Sequence, residues 1–466
     1  MEALLLGLLL SFSERFDTIR REATPEELYR VLYDLPKGGD LHDHLGGAVF
    51  PELLWRLATG GERFYTRVRF GECAASCPSP LLEFHTVLES TWNRLSPCCR
   101  AEYERLDELD EERKTAWMSA MRIDAPGEGR DEFFEVVWPR LDEIIDQAPI
   151  LADAAVLNLE LFGHEGVSYV EFQLSPFRRR IGGRVIDGEE FHGLLRDRFS
   201  QPDAKATGVT VRLQANVLRF HPDAERMVEE SWAFVDRHRD LWVSVNLVGR
   251  EDNDKGYPLR FLETFREMRR RYPRIGLAIH GGEVDEPNHH VRDTLLLGAD
   301  RIGHGTNLVT DPETLLLMRT GKFAVEVSLV SNRLLGYAED LSRHPFPELL
   351  RLGVPVCLST DDRGMWDSNM TDEWFEAVTR FHLSWEEIIE LGRNSLEFAF
   401  VPAEVKAKLL DRYERDIEAF AARYGEGDWR QAAAKVDAHP SGYARRHFFS
   451  RGSASFVPEP TFPARP

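Results

Sequence analysis

Residues 39–47 read GDLHDHLGG, with two histidines, His42 and His44, one residue apart. In a strand, residues i and i+2 share a face. Both imidazoles then point into one interior, where an unpaired polar ring is costly, so something there must bind them. Working outward, seven more runs resemble this one: 167–175 (VSYVEFQLS), 209–218 (VTVRLQANVL), 241–249 (LWVSVNLVG), 275–283 (IGLAIHGGE), 300–307 (DRIGHGTN), 323–331 (FAVEVSLVS) and 354–362 (VPVCLSTDD). Each is a β-branched or apolar stretch with a polar or glycine-rich ending, and amphipathic segments such as DAERMVEESWAFVDRHR separate most of them. Eight strands alternating with helices predict an α/β chain folded as a closed (β/α)8 TIM barrel rather than an open sheet.

The gap between the first two runs is far longer than one crossover helix. Residues 52–166, rich in Trp, Phe and charge, read as several helices inserted over the catalytic end of the barrel, a plausible lid. The expected organisation is a helical extension over 1–34, the barrel with its insertion over 35–401, and a C-terminal helix and Pro-rich tail over 402–466. The ending SFVPEPTFPARP lacks periodicity and reads as an extended arm or disordered.

A formal net charge of -21 opposes association with nucleic acid or anionic membranes, although a small anionic substrate in a locally basic pocket stays open. The opening MEALLLGLLLSF is too short for a membrane span. With Glu2, no basic flank and no small-residue cleavage site, it reads as the start of a buried or partner-facing helix rather than a signal peptide. It and the insertion are candidate contact surfaces of a homo-oligomer. The five cysteines, Cys73, Cys77, Cys98, Cys99 and Cys357, are odd in number in a long chain. That argues against a disulfide framework and for a reducing cytoplasm, and the adjacent pair does not suit a second, structural metal.

Reactive groups of a barrel gather where its strands end. His42 and His44 end the first run, His280 the fifth, His304 the sixth, and Asp361 with Asp362 the eighth. Three imidazoles and a carboxylate around an open position make a catalytic site for zinc or a related divalent ion, which would also satisfy both rings of HDH. Singly, each piece has a bland reading: a chance HxH, a turn histidine in GHG, a helix cap in DD. Together, in this order, they point to metal-assisted hydrolysis.

The same motifs resemble the adenosine deaminase family of metal-dependent hydrolases. PKGGDLHDHLGGA, HGGE, RIGHGTNL, VEVSLVSN and LSTDD are similar to its first-, fifth-, sixth-, seventh- and eighth-strand motifs, and RNSLEFAFV to the segment beyond the barrel. The resemblance runs from Leu35 to Val401, and PKGG is similar to the growth-factor-like branch. It implies one Zn2+ per chain held by His42, His44, His280 and Asp361. Glu283 would protonate purine N1, His304 would orient or deprotonate the attacking water, and Asp362 would bond that hydroxyl or purine N7. Gly249 would approach purine N3 through its backbone. The implied reaction is deamination of an adenine nucleoside, or of its 5′-monophosphate. The alternatives are a modified purine (N6-alkyl or 5′-substituted adenosine, or adenine) and a non-catalytic nucleoside binder.

The sequence departs from the family pattern in places. Gly46 stands where many members carry an acid that contacts the ribose 5′-hydroxyl, and a glycine is expected to leave room there. Arg219, Arg250 and Arg363 at strand ends could clamp a phosphate, or could pair with Glu251, Asp252 or Asp223 as scaffold. Gln173 replaces a frequent Arg, with a structural effect expected.

Overall fold

The computed structural model describes residues 2–77, 82–252, 255–284, 288–338 and 340–449, with the side chains of 2–11 left aside. Its centre is an eight-stranded parallel sheet in chain order: β1 (Gly38–His44), β2 (Val167–Leu174), β3 (Thr210–Leu218), β4 (Trp242–Val248), β5 (Gly276–Gly281), β6 (Arg301–His304), β7 (Ala324–Val327) and β8 (Val356–Leu358). The ring closes just beyond β8, where Asp361 N–H donates to His42 O (2.8 Å) and His44 N–H to Asp361 O (3.0 Å). The eight expected runs are the eight barrel strands. Parallel strands between helices are covered on both sides, and every residue of β2 is buried.

The helix Glu2–Glu22 brings Phe12 and Phe16 against Trp385 and Phe420. From Phe12 onward the N-terminal extension belongs to the core, while the side chains of the apolar opening before it lie outside the described ones. The Pro-rich ending lies outside the described residues. Among those described, no helix is long and apolar enough to cross a membrane.

The insertion departs from expectation in one respect. It is mainly helical, but it holds a three-stranded antiparallel sheet with Phe64–Arg67 between Thr86–Leu88 and Tyr103–Arg105. Strands of three or four residues are too short to show an alternating pattern. Two disulfides, Cys73–Cys98 and Cys77–Cys99, tie the loops of this sheet, and the fully buried Arg67 pairs with Glu102 beneath them. This corrects the cysteine reading. The odd thiol is Cys357, buried alone on β8, and the other four staple a subunit too small to stabilise itself by core alone. The ground for inferring a reducing compartment goes with it. The rest of the insertion forms a second core, in which Leu53, Trp117, Phe133 and Leu141 pack with Met365 and Trp366 from beyond β8. The insertion is thereby clamped over the barrel end that carries the histidines.

Candidate active site

Three strand ends, those of β1, β5 and β8, bring His42, His44, His280 and Asp361 together. His44 Nε2 lies 3.1 Å from His280 Nε2 and 3.4 Å from Asp361 Oδ1, and His42 Nε2 lies 3.6 Å from the same oxygen. Ligand atoms held about 2.0–2.1 Å from a tetrahedral zinc stand roughly 3.3 Å apart, so these separations fit one ion. The chemistry fits as well. Burial holds His44 down to about 3 and His280 well below its usual value, so two neutral imidazoles face each other nitrogen to nitrogen. Neutral imidazole is the ligand form, and lone pairs so close call for a cation between them. Nε2 of His42 and of His304 have no hydrogen-bond partner among the described residues. His304 (φ 65°) and Asp361 (φ 59°) both adopt the left-handed backbone region. That region is unfavourable for side chains like these and concentrates at functional sites.

Beneath the ligands runs a ring of buried polar side chains that the sequence reading did not single out. His42 Nδ1–H donates to Glu326 (2.9 Å), Arg301 bridges Glu326 and Glu171, Gln214 joins Glu171 to Asn246, and Asn246 Oδ1 accepts from His280 Nδ1–H (3.1 Å). The ring fixes both histidines with Nε2 unprotonated and aimed at the ion position. Such outer partners orient a metal site and tune its ligands.

His304 is fixed by a second relay. Phe346 N–H donates to His344 Nδ1 (3.1 Å), so the neutral His344 ring carries its proton on Nε2, which donates to Asn332 Oδ1 (3.0 Å). Asn332 then has only its amide N–H to offer His304 Nδ1 (3.2 Å). Burial pushes His304 down to about 4, so its one proton sits on Nε2, inside the site. There His304 is a hydrogen-bond donor.

Glu283 is buried 3.7 Å from His304 Nε2. Burial, with the charges of Asp361 and Glu251, pushes its carboxyl well above the usual range. Glu251 accepts the backbone N–H groups of Gly282 (3.1 Å) and Glu283 (3.2 Å). Burial alone would raise Glu251, but Arg219 and His290 outweigh it and hold it down to about 2. An ionised carboxylate thus both pins the Glu283 loop and keeps Glu283 protonated. Asp362 is buried with Oδ1 unpartnered among the described residues. A Cβ on Gly47 would fall 1.8 Å from that oxygen, so Asp362 can occupy this place only beside a glycine.

Comparison with known proteins agrees with this geometry. The family model described as Adenosine deaminase matches residues 134–415. The chain belongs to the adenosine deaminase family. It is 36% identical over 269 residues to an adenosine deaminase of Enterococcus faecalis, covering 58% of this chain and 77% of that one. It is 31% identical over 401 residues to adenosine deaminase 2 of Dictyostelium discoideum, covering 81% and 71%. In structure it resembles the arabidopsis ADAL complexed with IMP, with TM-score 0.61 and 19% identity over 84% of this chain and 98% of that one. The chain is a hydrolytic deaminase of the adenosine, adenine and AMP type.

In this adenosine deaminase family member, the remaining expected residues divide. Gly249 (φ 95°) lines a cavity of about 550 Å3 together with His44, His280, Glu283, Asp361 and Asp362. Gly46 lines it too. A Cβ there would already meet Trp138 at 3.1 Å and Ile145 at 3.2 Å, because the insertion's helix Trp138–Ile145 fills the space. The three arginines are committed to carboxylates, as the scaffold alternative has it. Arg219, fully buried, pairs with Glu251 (3.2 Å) and donates to His280 O. Arg250 pairs with Asp252 (2.5 Å) and Asp131 (2.7 Å). Arg363 turns away to Glu165 and stacks on Phe162. A larger cleft, about 870 Å3, lies at the opposite end of the barrel around Tyr33, Arg423 and His439, and it holds none of the catalytic groups.

Proposed function

We propose that the protein is a zinc-dependent deaminase of adenine nucleosides, binding one ion through His42, His44, His280 and Asp361. The observation that carries this reading is that His42 and His44 meet His280 on one side and Asp361 on the other, beside a buried Glu283 whose carboxyl is pushed well above its usual range. A bound zinc would supply Lewis-acid activation of the attacking water. Glu283 donates its proton to purine N1, which draws electrons from C6. His304 Nε2–H donates to the oxygen that adds at C6 and steadies the charge gathering there. Asp362 Oδ1 takes a hydrogen bond from the same water. Gly249, bare of a side chain, brings its backbone to the purine edge. Water adds to C6, the 6-amino group leaves as ammonia, and the ring becomes hypoxanthine.

The substrate is the nucleoside rather than its 5′-monophosphate. Beyond the purine position the cavity wall carries Asp142 and Asp146, one helical turn apart, and Arg179 is already paired with Asp146. That leaves Arg178 beside Asp142, a local balance near zero that gives a phosphate no net attraction. The test is the absorbance change from adenine to hypoxanthine with adenosine, deoxyadenosine, AMP, dAMP, N6-methyladenosine and adenine. Adenosine and deoxyadenosine are expected to be fastest. Faster turnover of AMP or dAMP would overturn the phosphate argument.

A further inference from the structure

Glu171 on β2 points into the barrel, where it meets Gln214 and Arg301. Gln173, two residues on, shares that face one layer nearer the substrate. Its main chain pairs directly with that of His44. Gln173 is 1% exposed, and neither Oε1 nor Nε2 has a hydrogen-bond partner among the described residues. A buried amide that satisfies neither its donor nor its acceptor is rare in native proteins, because both groups gave up water to be there. Gln173 nevertheless lines the catalytic cavity, as does Asn216, which shares the inward face of Gln214 on the next strand. Two side-chain amides on neighbouring strands thus meet the cavity beside a metal ligand.

We propose that the Gln173 amide, with Asn216 beside it, hydrogen-bonds a hydroxyl of the nucleoside sugar and so sets specificity for the sugar. This rests on the nucleoside reading. The chemistry matches, since an amide offers a donor and an acceptor and a hydroxyl is both. In that reading purine N1 faces Glu283 on the β5 side and N3 faces Gly249 after β4. The sugar is the polar part left to the β2 and β3 side. Arg179 and Asp146 on that side are already paired with each other, whereas the amide has no partner among the described residues, so a hydroxyl there restores to it what burial took.

The test compares adenosine with its 2′-, 3′- and 5′-deoxy analogues in wild type and in Gln173→Met, which keeps the shape and removes the amide. The expected result is a loss of about 10- to 100-fold in kcat/KM for adenosine, mainly through KM, with no fall in Tm. One deoxy analogue should be slow in wild type and lose nothing further in the variant. Equal losses on all four substrates, or no loss on adenosine, would overturn the proposal. Wild type alone gives a check that does not depend on the variant folding, because equal rates on adenosine and all three analogues exclude a hydroxyl contact. Wild type inactive on every nucleoside would overturn the functional reading itself, and the sugar contact with it.

Discussion

Glu326→Gln isolates what the buried ring contributes to the metal site. Each oxygen of Glu326 has its own donor: Oε2 accepts from His42 Nδ1–H at 2.9 Å and Oε1 from Arg301 Nε–H at 2.5 Å. Glutamine has the same shape but one acceptor. If its oxygen serves His42, its NH2 faces the Arg301 donor. If its oxygen serves Arg301, the NH2 donates to His42 Nδ1 and moves the imidazole proton to Nε2, which can then no longer bind metal. Loss of the charge alone weakens a hydrogen bond by ~1–1.5 kcal/mol, and the donor conflict adds to it. The sum reaches the upper part of the range for outer-partner substitutions, about 100-fold in metal affinity or ~2.7 kcal/mol. Arg301 keeps Glu171 and Phe398 O, so the barrel stays folded. Competition with a chelating zinc indicator measures the affinity, and activity titrated with added metal shows whether the loss is one of occupancy. An affinity within about threefold of wild type, or an activity loss that excess metal does not repair, would refute the claim that this ring tunes the metal through His42.

Other substitutions test the remaining parts of the site. Glu283→Gln should abolish turnover while metal content stays near stoichiometric, as elemental analysis would show; a fully active variant removes Glu283 as the proton donor. His304→Ala should cost about 10²–10³-fold in kcat, whereas His304→Gln, with a neutral N–H close to the position of Nε2, should keep about tenfold more activity than alanine. Glutamine no better than alanine, in folded and metal-loaded protein, would argue that His304 acts as a base. Gly47→Ala should lower kcat strongly at unchanged metal content, since its methyl needs the space of Asp362 Oδ1; an unaffected rate would remove Asp362 from the mechanism. Mass spectrometry after alkylation of native protein should find Cys73, Cys77, Cys98 and Cys99 blocked until reduction, and reduction should lower Tm, because loops of 25 and 22 residues each yield ~3 kcal/mol in the chain-entropy view. Free alkylation without reductant would show the pairing to be wrong.

The strand-end residues were legible because strand alternation and barrel topology together force a meeting. His42 and His44 declare a shared face, and a ring of parallel strands admits one place where all the strand ends gather. The disulfide sheet was not legible, because strands of three residues carry no period and the cysteine argument weighed the whole chain instead of the insertion. The ion pairs of the strand-end arginines were not legible for a related reason. Arginine at a strand end signals a guanidinium near the site but says nothing of which way it turns, and Glu165, which claims Arg363, lies 198 residues away in sequence.

A signal for the hidden ring does exist. Glu171 in YVEFQ, Gln214 in RLQAN, Asn246 in SVNLV and Glu326 in AVEVS each place a polar side chain inside an apolar strand of a fully covered sheet. In such a strand a polar residue is buried whichever way it points, so it must be paired. Three of the four stand two residues before another inward polar group or a cavity-lining one: Gln173, Asn216 and Val248. One layer up stands Gln173, a buried amide with no hydrogen-bond partner among the described residues. A sequence reader who asks of every polar residue in a barrel strand what it pairs with recovers the ring where the chain answers, and the substrate where it does not.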